Sequence, residues 1–344
     1  MMKMTANPYI SDLLGQPAAL KDTLAGLAQA PDLQPFARRL ASGDFQRVVL
    51  TGMGSSYHAL HPLWLSLVAK GVPAFQIETS ELIHSAPALL DERALVVAVS
   101  QSGRSAEILR LLEMSHGALL GVTNTPDSPL AQQAGAVILT QAGEESTVSC
   151  KTYVTALAAL AVLGKVLLGG DLQALFGELA SVPSAMARYL ENWQASAGEL
   201  LECLAGVQSL MLAGRGASLA AVGTGALIIK EAAHFPAEGM SSAALRHGPL
   251  NMASPGLFVL VFEGTGAASP LNARLVQELL AAGGKAALVR LGECEGVFTL
   301  PFAAPAGLPM LEILPAQMLS LACAQLTGWT AGEFGHNGKV TEVE

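Results

Sequence analysis

Between Val96 and Glu107 the chain reads VVAVSQSGRSAE, an apolar run that turns polar at once and then starts a helix. Ser100, Gln101, Ser102 and Ser105 supply hydroxyl and amide donors, and Gly103 lets a ligand come close to the backbone. A helix from Ala106 would add its unsatisfied N–H groups. Such a turn suits a phosphate. The lysine of a nucleotide P-loop is missing and no acidic residue follows about twenty positions on, which favours a phosphomonoester over a nucleotide. Serine is also a good N-cap for structural reasons alone, so the turn read in isolation is equally a well-capped helix start. A second serine turn, Gly54-Ser55-Ser56, follows an earlier apolar run that ends at Thr51.

A different chemistry is written in Ala226 to Leu250, ALIIKEAAHFPAEGMSSAALRHGPL. Lys230 and Glu231 fall near the middle of an otherwise apolar helical pattern, where charged residues are rare without a task or a partner. Arg246-His247-Gly248-Pro249 closes a short helix. These residues read equally as a solvated stripe and a helix C-cap. Near the end of the chain Lys339 follows Gly335 and Gly338, on a segment expected to be mobile. His58 and His61, three apart, with His84 beyond them, have no carboxylate at helical spacing, so no metal is expected there. Cys150, Cys203, Cys294 and Cys323 are scattered without a C-x-x-C pair and read as core thiols.

Composition narrows the partners. The chain has 344 residues, 51% hydrophobic and 14% charged, with a net charge of −9 and no basic run. That balance argues against nucleic acid or an anionic membrane surface, so an anionic ligand must be held by local donors. The mean hydropathy is +0.44. Its most apolar stretch, Val154 to Leu168, is bracketed too closely by Lys151 and Lys165 for the roughly 20 residues of a membrane span. It reads as a buried helix, a candidate subunit interface. Met1 to Thr5 lack the apolar core of a signal peptide, and the expected location is cytoplasmic.

The elements that must carry these residues alternate. After a helical N-terminal segment up to about Arg39, strands are expected at Phe45 to Thr51, Val72 to Thr79, Ala94 to Ser100, Ala118 to Thr123 and Ala136 to Thr140. Helical segments separate them, including one from Tyr57 to Lys70. This order means a parallel α/β sheet with helices on both faces, whose ligands sit beyond the carboxyl ends of the strands, where both serine turns fall. A second series repeats the first. Leu210 to Ala217 echoes Val48 to Ser55 at an offset of about 162, and Gly256 to Gly266 echoes Ala94 to Arg104. Where the first copy has Ser100-Gln101-Ser102-Gly103, the second has Glu263-Gly264-Thr265-Gly266, whose carboxylate would repel phosphate. Only the first copy is expected to bind it.

Together these pieces resemble the sugar isomerase (SIS) family, most closely the isomerase half of glucosamine-6-phosphate synthase. The resemblance runs from Gln16-Pro17-Ala18-Ala19-Leu20 through GSSYHA at Gly54 to Ala59, SQSG at Ser100 to Gly103, Lys151, Lys230-Glu231, and RHGP at Arg246 to Pro249, to the lysine near the end. It implies two tandem SIS domains, each a doubly wound, flavodoxin-like parallel sheet of five strands flanked by helices, with an N-terminal helix and a C-terminal catalytic tail. The implied divisions are an N-terminal segment 1–39, a phosphate-binding domain 40–175, a domain 176–332 carrying Glu231 and His247, and a tail 333–344. By the same resemblance Ser56, Ser100, Gln101, Ser102 and Ser105 hold a sugar phosphate. Glu231 is the base moving a proton between carbons 1 and 2, His247 assists ring opening from the neighbouring subunit of a homodimer, and the Lys339 amine faces the carbonyl. Gly54, Ser55, Lys151 and Glu238 are further substrate-site candidates; no cofactor is implied.

The chain departs from the synthase pattern. No glutaminase half is expected and no cysteine follows Met1; Ile228 stands where the synthase has a further lysine, and Ala244 where it has an acidic residue. These departures favour a stand-alone amino-sugar phosphate isomerase or deaminase, with a fructosamine-6-phosphate deglycase or a non-catalytic phosphosugar sensor as alternatives.

Overall fold

The computed structural model describes residues 7–29, 32–114, 117–293, 296–335, 338, 339 and 341. Cys294, His336, Asn337, Val340 and the extreme N-terminus lie outside them. Three helices open the described chain, α1 (Pro8–Leu14), α2 (Gln16–Leu27) and α3 (Gln34–Ala41). The Asn7 side chain caps α1 by accepting from the Ile10 N–H at 3.0 Å.

The first sheet follows: β1 (Arg47–Gly52), α4 (Gly54–Ala59), α5 (His61–Val68), β2 (Ala74–Glu78), α6 (Thr79–Ser85), β3 (Ala94–Val99), α7 (Ala106–Met114), β4 (Ala118–Thr123), α8 (Pro129–Gln133) and β5 (Ala136–Leu139). Its strands are all parallel in the order β2-β1-β3-β4-β5. Every residue of β3 is buried, as a central strand covered on both faces must be. One expected element differs: the helix from Tyr57 to Lys70 is two helices, beginning at Gly54 and interrupted at Leu60. Pro62 has no N–H to give to a carbonyl one turn back, so the helix restarts there.

The chain continues through α9 (Lys151–Leu167), α10 (Leu172–Leu179), α11 (Val182–Leu190) and α12 (Trp193–Cys203). Fourteen of the 17 residues of α9 are buried within the chain itself, which leaves little apolar face for the subunit interface expected of it. The second sheet is built from β6 (Ser209–Gly214), α13 (Leu219–Ala233), β7 (Ala237–Ser241), α14 (Ser242–Arg246), β8 (Leu257–Phe262), α15 (Ser269–Ala281), β9 (Lys285–Leu291) and β10 (Thr299–Leu300), before α16 (Leu308–Thr327). Its order, β10-β9-β8-β6-β7, is the first sheet's order read from the other edge, and its strands are also parallel. The repeat seen in the residues is thus a repeat of topology. Among the described residues α16 alone is long and apolar enough to cross a membrane, and 83% of its apolar window is buried inside the protein.

The chain forms two compact units. The first comprises Ala18–Glu145, Cys150–Ala180 and His336–Glu344; the second comprises Met1–Pro17, Ser146–Ser149 and Ser181–Gly335. The N-terminal helices are divided between the two, and the described tail residues 338, 339 and 341 belong to the first unit. Val96, Ile108, Leu111 and Leu130 belong to the core on one face of the first sheet, and Val259, Val261, Leu275 and Leu279 to the matching core of the second. Cys150 and Cys323 are buried thiols as expected, whereas Cys203 is exposed, because it closes α12 on its outer side.

Candidate active site

Beyond β1 and β3 the sheet order of the first unit changes direction, since β1 leads outward to β2 and β3 outward to β4. A crevice opens at such a point. Gly52 and Val99 are partners in the β1–β3 register, so both serine turns leave the sheet side by side. Gly52 has to be glycine: a Cβ there would fall 2.9 Å from the Val99 carbonyl oxygen and 3.1 Å from the Tyr57 nitrogen. Gly54 enters α4 at φ +54°, and Ser55 is buried while Ser56 is half-buried.

The Ser100 turn is braced from below. The Ser100 Oγ accepts from the Gly103 N–H at 3.1 Å, and the Ser102 Oγ from the Arg104 N–H at 3.4 Å. Each hydroxyl that accepts from its own turn keeps its proton to donate outward. The Gln101 carbonyl takes three donors, the Asn124 N–H at 3.1 Å, the Thr123 hydroxyl at 3.1 Å and the Thr125 hydroxyl at 3.2 Å. Gly103, at φ +61°, lies so close to Ser128 that any Cβ would collide with its side chain. The turn is thus held by the polar run Thr123 to Ser128 beyond β4. The motifs read from the sequence do not include that run, although three hydroxyls and an amide at the end of the neighbouring strand signal it.

The tail reaches the same unit. Lys339 Nζ forms an ion pair with Glu145 Oε2 at 3.1 Å, and the Lys339 side chain is 21% exposed. Thr341 accepts through its carbonyl from the Ala106 N–H at 3.2 Å, one residue past Ser105. Lys339 is therefore docked, contrary to the mobile segment expected of it, because a buried carboxylate is waiting for it. Glu145 is anchored at the start of α9: Oε1 accepts from the Cys150 and Thr152 N–H groups at 2.9 and 3.1 Å, and Oε2 from the Thr152 hydroxyl at 2.6 Å. A carboxylate placed at a helix N-terminus accepts from the free N–H groups there, and its other face suits a cationic partner. Lys151, the first residue of α9, donates to the Glu144 carbonyl. One N–H expected to be open at the α7 N-terminus, that of Ala106, is occupied by the tail.

The second unit carries the other candidates. Glu231 is half-buried two residues before the end of α13, not mid-helix as expected; Ile228, one turn earlier, is fully buried. His247 is the exposed C-cap of α14. Beside it Arg246 is fixed by Glu278, Nε to Oε2 at 2.8 Å, and this guanidinium holds the Glu278 carboxyl below its usual range. Glu238 is exposed on β7 and accepts from its neighbour's Gly239 N–H at 3.3 Å. In the first unit the His61 ring hydrogen-bonds Gln76 Oε1 at 3.1 Å, and burial lowers its pKa. Among the described residues no group of three His, Cys, Asp or Glu could hold a metal.

Comparison with known proteins places this arrangement. Residues 44–165 match the SIS domain family. Glutamine–fructose-6-phosphate aminotransferase (isomerizing) of Pyrococcus horikoshii is 30% identical over 97% of this chain and 57% of its own length. The chain thus spans a little over half of the curated relatives it matches. Among solved structures, the C-terminal domain of glucosamine-fructose-6-phosphate aminotransferase from Francisella tularensis superposes with a TM-score of 0.83 at 22% identity, covering 97% of this chain and 99% of that one. Glucosamine-6-phosphate deaminase from Thermotoga maritima superposes with a TM-score of 0.78 at 19% identity, covering 98% of this chain and all of that one. With two parallel five-stranded sheets of one topology and a serine turn at the crest of the first, the chain carries an SIS domain over residues 44–165 and shares the fold of these two sugar-phosphate enzymes.

Proposed function

We propose that this chain is an enzyme acting on an amino-sugar phosphate, converting glucosamine 6-phosphate to fructose 6-phosphate and ammonia. The observation that carries the reading is that the serine turn and the tail lysine belong to one compact unit, with the tail's Thr341 bonded to the residue that follows Ser105. A phosphate held by Ser56, Ser100, Gln101, Ser102 and Ser105 fixes the far end of the open-chain sugar. Glu231 removes the proton on carbon 2, the electron pair forms a double bond to carbon 1 as the aldehyde oxygen takes up a proton and becomes a hydroxyl, and return of a proton to carbon 1 leaves an iminium at carbon 2. Water hydrolyses that iminium to the ketose and ammonia, directly or after exchange onto the Lys339 amine as a Schiff base. His247, supplied by a second copy in a homodimer, takes the proton of the anomeric hydroxyl and gives one to the ring oxygen as the ring opens.

The test is ammonia release from glucosamine 6-phosphate, run beside glucosamine and a fructosamine 6-phosphate. Release from glucosamine 6-phosphate alone supports the reading. Turnover of only the fructosamine phosphate makes the chain a deglycase, and binding of all phosphates without turnover makes it a sensor. Mixing His247→Ala with Glu231→Gln chains tests the homodimer, since mixed dimers should regain one intact site.

A further inference from the structure

α13 ends at Ala233, two residues past Glu231, and the chain then makes an unusual move. His234 takes the left-handed conformation, φ +49° and ψ 35°, which among the described residues outside glycine is shared only by Gln141. A side chain in that region is strained and persists where its surroundings hold it. What holds it is aromatic. The imidazole stacks on the Trp329 indole with ring centroids 3.9 Å apart and planes 25° from parallel. Trp329 follows Gly328, the left-handed C-cap of α16, and its own N–H closes that helix on the Ala324 carbonyl at 2.9 Å. Its indole N–H donates to the Glu333 carbonyl at 2.9 Å. Gly335 then passes the imidazole so closely that a Cβ there would lie 2.6 Å from His234 Cε1.

The last carbonyls of α13, which have no partner inside their helix, are taken by the same stretch. Gly332 donates its N–H to the Ala232 carbonyl at 3.0 Å, and the Thr327 hydroxyl donates to the Ala233 carbonyl at 3.1 Å. On the other side, the Asn7 amide donates to the Ala331 carbonyl at 2.9 Å. Residues 327–335 are thus bolted to the end of the helix that bears Glu231. His234 is exposed and Trp329 only half-buried, so their stack adds little to any core.

We propose that His234 and Trp329 are positioning residues, an aromatic anchor that fixes where α13 ends and thereby sets where Glu231, three residues earlier, presents its carboxylate. That role rests on the reading of Glu231 given above; the anchor itself does not. The experiment uses the full chain and three variants, His234→Ala, Trp329→Ala and His234→Phe, the last keeping a flat ring to stack. Amide hydrogen exchange over residues 328–335 reads the anchor. Turnover of glucosamine 6-phosphate and solvent deuterium uptake at its carbon 2 read its consequence, and calorimetry with inorganic phosphate checks that the serine turn is intact. Both alanine variants should exchange amides faster over 328–335, lose about tenfold to a hundredfold in kcat with KM unchanged, and take up deuterium more slowly, while His234→Phe should restore all three. Wild-type amide exchange in His234→Ala overturns the anchor. Faster amide exchange with wild-type kcat and deuterium uptake overturns its positioning role. Wild-type turnover in Glu231→Gln overturns the reading of Glu231 instead, and amide exchange still decides the anchor.

Discussion

At the carboxyl end of β3 the chain turns through Ser100-Gln101-Ser102-Gly103, and at the matching end of β8 through Glu263-Gly264-Thr265-Gly266. Both turns cap a fully buried central strand, and both use a glycine near φ +60°, Gly103 at +61° and Gly264 at +66°. Their polar groups are spent differently. In the first, the serine oxygens accept from the turn's own N–H groups and leave their protons to donate outward. In the second, Glu263 accepts from the Ser269 hydroxyl at 3.0 Å, Arg215 Nε donates to Ser242 at 3.0 Å, and Ser242 meets Asn272 Oδ1 at 2.6 Å. Asn272 closes the set on the Phe262 and Glu263 carbonyls, each at 3.0 Å. One fold therefore supports an open, donor-rich turn or a self-satisfied polar cluster at the same place, and a handful of loop residues decides which.

The largest expected effect falls on Glu231, which would give the second half its chemistry in place of phosphate. Glu231→Gln should lower turnover by roughly a hundredfold to ten-thousandfold, leave phosphate affinity unchanged and abolish solvent deuterium exchange at carbon 2. Wild-type exchange in that variant would move the base elsewhere, with Glu238 the next to test.

A second difference lies under the crests. Glu312 is 2% exposed, accepts from the Ser218 hydroxyl at 2.7 Å, and has an oxygen with no hydrogen-bond partner. Burial pushes its carboxyl up to about 7, against the weaker opposing pull of Ser218. Because the native pKa is raised, the folded chain holds a proton between about pH 4.5 and 7 that the unfolded chain has released. Stability from this group is therefore full at the acid end and is lost as pH rises through that window, by roughly 3 kcal/mol. Urea midpoints of Glu312→Gln should lack that loss; parallel pH profiles of the two proteins would show that Glu312 does not titrate there.

Ser102→Ala removes one donor from the first crest and should weaken a sugar phosphate by roughly 1.5–3 kcal/mol in calorimetry. Glu263→Ala should leave phosphate binding as it is, and an equal loss in both variants would erase the contrast between the crests.

The glycine pair gives the smallest and cleanest comparison. Gly103→Ala meets both backbone strain and the Ser128 side chain, whereas Gly264→Ala meets Ser218 Oγ only at 3.1 Å. Strain of about 1–2 kcal/mol is common to both, so the excess destabilisation of Gly103→Ala, measured by thermal melting, reports how tightly Ser128 braces the turn. Equal melting shifts would show that it does not.

Much of this fold is legible in the order of the residues. β4 runs over the residues expected, and β1, β3 and β5 differ from expectation by two residues or fewer at each end, because buried parallel strands are written as apolar runs closed by glycine or polar turns. The repeat and the serine turn are equally visible, being local patterns. The places where reading along the chain falls short are all non-local. Nothing near Glu145 says that it will face Lys339, 194 residues away, and nothing near His234 announces Trp329. The position of Glu231 at the end of α13 depends on where the helix stops, which His234 decides by turning left-handed against its partner ring.

The chain by itself determined the two parallel α/β sheets, their duplication and the donor-rich turn, since periodicity, turn chemistry and strand ends are properties of neighbouring residues. Tertiary structure alone decided which lysine meets which carboxylate, which crest keeps its donors open, and how the tail is held. Those depend on groups far apart in sequence, where desolvation of Glu145 and Glu312 and the stacking of two rings arise only once the elements have packed.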